Sequence, residues 1–165
     1  VGVFETLEVA FGYVVTGPAP LAVKGHLFPD LPHRDIPLHQ LRVRLLSPLV
    51  SNSTRAAVWS YLVRQARTRG ARQSSWTVGA AGMALPELLR IVGALARTYA
   101  GELEDLEAAA LGAFLGELRR VDLDDTRDPR LRWRLLTAAY RASRTLRDTT
   151  HNTAPDTARD GGPRR

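Results

Sequence analysis

Residues 101–122 read GELEDLEAAALGAFLGELRRVD, and the fold turns on this stretch. Its apolar residues Leu103, Leu106, Ala110, Leu111, Phe114, Leu115, Leu118 and Val121 recur mostly every three or four positions, the spacing that lines one face of an α-helix. Glu102, Glu104, Asp105 and Glu107 crowd the first turns, and Arg119 and Arg120 close the last one. That order complements the helix dipole at both ends. Gly112 and Gly116 lie on adjacent turns, where each costs about 1 kcal/mol against alanine. A helix bears such a cost more readily where another backbone comes close. The stretch is therefore expected to be the central helix of a small bundle, the element on which its neighbours pack.

Upstream, Pro86 at a first helical position opens an expected helix over residues 87–100, with Leu88, Leu89, Val92, Leu95, Ala96 and Tyr99 as its stripe. Trp76 to Ala84, containing Gly79 and Gly82, reads as a separate short helix. Ser51-Asn52-Ser53 supplies caps for a helix from about Thr54 to Arg69, with Arg55, Arg64, Arg67 and Arg69 facing outward and Gly70 ending it. Pro37 starts a short helix from Leu38 to Leu46, and Pro48 stops it. Before that the pattern changes. Phe4, Leu7, Val9, Phe11, Tyr13 and Val15 mostly alternate in a β-favouring way, Gly17 to Pro20 is a turn, and Leu21 to Phe28 suits a returning strand. A hairpin lying on the helices and an irregular arm both fit these residues.

Downstream, Asp122 to Asp128 is an acidic loop. Asp122, Asp124 and Asp128 fall at odd positions of a calcium-loop pattern, but its glycine and glutamate places hold Arg127 and Trp133, so a solvated loop fits better. Asp128 is placed to cap a last long helix that runs from Pro129 to about Asp148. Leu131, Leu135, Leu136, Ala139 and Tyr140 form its apolar face; Arg130, Arg132, Arg134, Arg141, Arg144 and Arg147 make it the most basic element of the chain. From residue 150 onward almost nothing apolar remains, which predicts disorder. The expected fold is mainly α: a bundle of five or six helices over residues 37–149, an N-terminal arm or β-hairpin over 1–36, and a disordered tail over 150–165.

The net charge is +6, and Lys24 is the only lysine. Arginine's planar fork suits phosphate, although an arginine-rich chain also follows from GC-rich coding. With no cysteine there is no disulfide framework and no thiolate metal site. His26, His33, His39 and His151 are too scattered for a zinc motif, and no phosphate loop, dinucleotide fingerprint or serine-nucleophile elbow occurs. These absences favour a non-enzymatic protein without metal or cofactor. No unbroken apolar run reaches the roughly 18–20 residues of a membrane span, and the first residues do not resemble a signal peptide. The expectation is a cytoplasmic protein with no membrane partner.

From Leu85 to Arg147 the order of features resembles region 2 of bacterial sigma factors, particularly the smaller extracytoplasmic-function type. An opening helix ends in Ala96-Arg97-Thr98-Tyr99, and the link Gly101-Glu102-Leu103 follows. The next helix begins Glu104-Asp105-Leu106 and runs through Leu111, Phe114, Leu115, Leu118 and Arg119 to Val121-Asp122, before a basic helix with aromatic residues closes the region. Ala108-Ala109 stand where the family carries a glutamine and an acidic residue. Arg134 and Arg141 stand where it carries a tryptophan–leucine pair and an asparagine. The whole chain also looks similar to proteins of high-GC Gram-positive bacteria with the pattern Leu31-Pro32-His33-Arg34-Asp35-Ile36-Pro37-Leu38, Ala57-Val58-Trp59 and Trp76-Thr77-Val78-Gly79-Ala80, a likeness that implies no activity.

The sigma resemblance implies a transcription-associated protein that binds DNA and/or the RNA polymerase core. Arg130, Arg132, Trp133, Arg134, Arg141 and Arg144 of the closing helix would meet nucleic acid, and Glu104, Asp105, Ala108 and Ala109 would meet a protein partner. Arginines on one helix face suit phosphates, and an exposed aromatic ring suits an unpaired base. Trp133 reads equally as core or as a stacking platform, whereas Tyr140 reads rather as core. The alternative is a helical interaction or regulatory module without DNA binding.

Overall fold

The computed structural model describes residues 1–123 and 128–153, and it is mainly helical. Among these residues the chain order is α1 (Val3–Thr16), β1 (Ala22–Lys24), β2 (Asp35–Pro37), α2 (Leu38–Arg44), α3 (Asn52–Arg67), α4 (Gln73–Ala96), α5 (Leu103–Arg120) and α6 (Leu131–Thr153). Asp124 to Arg127 of the acidic loop and residues 154–165 of the expected tail lie outside the described residues. Residues 150–153, assigned above to the tail, continue α6.

The first residues correct the alternating reading. Phe4, Leu7, Phe11 and Val15 follow a helical spacing and are buried, whereas Val9 and Tyr13, which completed the alternation, are exposed on α1. A two-stranded antiparallel pairing does exist, but it lies later. It joins β1 to β2 with Val23 opposite Ile36, both fully buried. Residues 1–36 thus share one core with the helices. The first N–H groups of α1 have no side-chain cap from Gly2; instead the buried Glu107 carboxylate on α5 accepts from the Phe4 N–H at 3.0 Å.

Pro86 does not open a helix. It sits inside α4, which runs unbroken from Gln73 to Ala96. A proline there has no N–H to give to the carbonyl four residues back, that of Gly82. The orphaned Gly82 carbonyl accepts from Arg42 Nη1 at 2.9 Å, so α2 supplies the missing donor. Arg42 is held for this task by the Glu8 carboxylate, with contacts of 2.8 and 3.0 Å, and lies over the Phe11 ring at 4.6 Å. The arginine fork holds the Glu8 carboxyl below its ordinary value of 4.5.

The centre of the bundle is α4 rather than α5. It packs on α1, α2, α3, α5 and α6. A β-carbon at Gly82 would lie 2.1 Å from Phe11 Cδ2, and one at Gly79 2.8 Å from Leu38 Cδ1, so close approach is the function of this glycine pair. At Gly112 a β-carbon would meet nothing within 4 Å, and at Gly116 only the tip of Arg120. The α5 glycines therefore serve no close packing, contrary to the expectation from spacing. The rest of α5 behaves as expected, with Leu106, Ala110, Phe114 and Leu118 buried against α6, α4 and α1. Because α4 continues through Pro86, it is also the one described helix long and apolar enough to cross a membrane. Glu87 and Arg90 still interrupt it, so it is not an unbroken apolar run, and 56% of the helix's most apolar window is buried inside the bundle.

Caps complete the frame. Ser51 accepts from the Thr54 N–H at 3.2 Å to start α3, as its sequence predicts. Asp30 adds a second anchor, accepting from the Ser51 N–H at 2.9 Å and from Thr54 Oγ1 at 2.8 Å. Those hydrogen bonds hold the Asp30 carboxyl below its ordinary value.

Candidate nucleic-acid interface

Helix α6 begins at Leu131, two residues after the expected start at Pro129, and Pro129 and Arg130 form a turn ahead of it. Asp128 Oδ1 accepts from the Arg130 N–H at 2.9 Å, and Leu131, Leu135, Ala139 and Ser143 form a buried stripe at four-residue intervals. Ser143 satisfies its own buried hydroxyl by donating to the Ala139 carbonyl at 2.7 Å. At about 100° per residue, Arg130, Trp133, Thr137, Arg141 and Arg144 then share the opposite side, with Arg134 at its edge.

The structure divides the expected arginine set. Arg130, Arg134, Arg141 and Arg144 are exposed on the outer strip. Arg132 is turned the other way, half-buried, and paired with Glu87 of α4. It belongs to the α4–α6 packing and is withdrawn from the candidate surface, because its position falls beside the buried stripe. Arg134 pairs with Asp128 at 3.4 Å and Arg144 with Asp148 at 3.7 Å. The second pair is exposed on both sides and is worth about 0–1 kcal/mol, whereas the Asp128 side chain of the first is largely covered. Arg130 and Arg141 have no ion pair among the described residues. Arg147, by contrast, is tied to Asp148 at 3.0 Å and donates to Thr98 Oγ1 at 3.2 Å.

Both aromatic rings of the strip face out: Trp133 is 61% exposed and Tyr140 is 40% exposed. The core assignment of Tyr140 is corrected, since the stripe that packs is 131, 135, 139 and 143, one position away. A shallow notch of about 270 Å³ lies between α5 and α6, lined by Trp133, Arg134, Thr137, Ala138, Arg141 and Glu117. Its one carboxylate, Glu117, is engaged by Arg120 at 3.2 Å.

Of the arginines expected to face outward on and just after α3, Arg64 and Arg69 are exposed, whereas Arg55 and Arg67 are half-buried. Arg55, half-buried, donates to the carbonyls of Leu45 at 2.8 Å and Ser47 at 2.6 Å. Arg67 reaches the Val121 carbonyl beyond α5, and Arg64 the Leu123 carbonyl at 3.2 Å. These side chains satisfy carbonyls at helix ends. No local pattern could reveal them, because each partner lies on another element.

On α5, Glu104, Asp105 and Ala108 are exposed and Ala109 is half-buried, so all four lie on the accessible side. Glu104 faces a groove toward α1 and α4, together with Glu107. By helical rotation, Asp105 and Ala109 sit round the helix from it. The residues missed in the sequence are Arg42 and Glu107, which bind elements far apart in the chain. Comparison with protein-family models, with curated proteins and with solved structures gives no match to this chain.

Proposed function

We propose that this chain is a non-enzymatic, transcription-associated protein that binds unpaired nucleic acid through the outer strip of α6, alone or on the RNA polymerase core. The observation that carries the reading is Trp133, a large exposed ring between turns that bear Arg130, Arg134 and Arg141. Exposed cations spaced along a helix suit a phosphate backbone, and an indole face suits a base that has left its stack. The order of features shared with sigma region 2 favours the same surface. The reading carries a cytoplasmic location with it.

Salt-titrated binding to single- and double-stranded DNA, with and without core polymerase, tests the proposal. Replacing Arg130, Arg134, Arg141 and Arg144 by glutamine should lower affinity and flatten the slope of log K against log salt by about 0.7–0.9 per lost contact. Trp133→Ala should weaken single-strand binding more than duplex binding, by about 1–3 kcal/mol per stacked base. A folded quadruple variant that binds as tightly as the parent excludes the strip. The second reading, an interaction module without DNA binding, is favoured by the apolar groove beside Glu104.

A further inference from the structure

A groove of about 720 Å³ runs between α1, α4 and the start of α5. Phe4 and Leu85 lie at its base; Pro86, Leu89 and Leu103 stand along it. Leu89 is 53% exposed and Leu103 51%, although each belongs to a helix whose other leucines are largely covered. The groove's charge is opposite to that of the chain. On a protein of net charge +6 it carries Glu5, Glu8, Glu104 and Glu107 against Arg42 alone. Two of these carboxylates are committed, Glu8 to Arg42 and Glu107 to the Phe4 N–H. Glu5 and Glu104 are exposed on opposite walls and have no ion pair among the described residues.

We infer that this groove docks an amphipathic α-helix of a partner protein, with aliphatic side chains set between Leu89 and Leu103 and arginine or lysine flanks over Glu5 and Glu104. A helix satisfies its own backbone, whereas an extended segment would press unpaired N–H and C=O groups against an apolar lining. The acidic rim repels phosphate, which sets this surface apart from nucleic acid and from anionic membranes. The most basic described helix of a second copy, α6, cannot serve, since its Leu131, Leu135 and Ala139 are buried in its own core. The groove shares no residue with the outer strip of α6, so it stands or falls separately from the function proposed above. One wall is α1, which lies outside the stretch that resembles sigma region 2.

The test uses the full chain and three labelled helix-forming peptides, read by fluorescence anisotropy. One has leucines at helical spacing and arginine flanks, one keeps the leucines with glutamate flanks, and one keeps the arginines with serine for leucine. The first should bind about tenfold or more tightly than either control, a difference of about 1.4 kcal/mol. Leu89→Asp should weaken it about tenfold or more. The Glu5→Lys, Glu104→Lys pair should shift preference toward the glutamate peptide, with a small fall in melting temperature from the charges lost in the first turns of α1 and α5. Equal binding of arginine and glutamate peptides overturns the inference, as does indifference to Leu89→Asp. Self-association of the parent that Leu89→Asp abolishes, with no peptide bound, also overturns it by giving the groove to a second copy.

Discussion

Helices α4 and α5 each carry a pair of glycines about one turn apart, Gly79 and Gly82 on α4 and Gly112 and Gly116 on α5, yet the pairs do opposite things. On α4, Gly79 and Gly82 face the side chains of Leu38 and Phe11 with no room for a methyl group; on α5, Gly112 and Gly116 face open space. The difference lies in which side of the helix the pair occupies. An amphipathic helix such as α5 buries one stripe, and its glycines fall off that stripe. Helix α4 is covered on several sides, so small residues become the means by which bulky neighbours reach it. The same spacing is therefore a packing device in one helix and only a local cost in the other.

The largest expected effect is on the stripe of α5. Phe114→Ala should destabilise by about 3–5 kcal/mol, since the ring is fully buried. A loss below about 1 kcal/mol in denaturant unfolding would mean that α5 is not packed through this face. Gly82→Ala comes next, at about 1–3 kcal/mol, because the buried Phe11 ring must move to admit a methyl group. Arg42→Met should cost a similar amount, about 1–3 kcal/mol, by leaving the Gly82 carbonyl without a partner beside Pro86.

Gly112→Ala should raise stability by up to about 1 kcal/mol, the helix-propensity gain where nothing is crowded. If Gly82→Ala and Gly112→Ala shifted the melting temperature alike, the contrast between the two helices would be lost. The smallest effect concerns pH. Glu8 has a folded pKa below its ordinary 4.5, so its contribution is present above that value and lost as pH falls through the lower folded one. Because Glu8 is about half exposed, the effect is modest. The stability gap between the parent and Glu8→Gln should narrow on acidification below pH 4.5.

What was legible follows the same division. Helices α5 and α6 obey a single-stripe periodicity, and Ser51 caps α3 where sequence rules put it, although α3 is buried more broadly, with Trp59, Ser60 and Val63 covered beside Val58, Leu62 and Ala66. In α1 the alternating and helical patterns overlap: Leu7, Phe11 and Val15 serve either, and only the exposure of Val9 and Tyr13 separates them. Pro86 is a sound local signal for a helix start, overridden by an arginine more than forty residues earlier. At the candidate interface, rotation about α6 distinguishes Arg132 from Arg130 and Arg141. That distinction was present in the numbering, but counting the arginines as one face hid it. The acidic groove was not legible at all, since its walls come from three elements.

The two long-range donors and acceptors also differ in when they become available. Arg42 precedes Gly82 and Pro86 in the chain, so during synthesis the partner for the orphaned carbonyl of α4 already exists when that carbonyl is made. Glu107 follows Phe4 by 103 residues, so the first turn of α1 waits for most of the bundle to be translated before it is closed. A chain released before residue 107 could therefore complete the continuous helix through Pro86, but not the fastening of its own first helix.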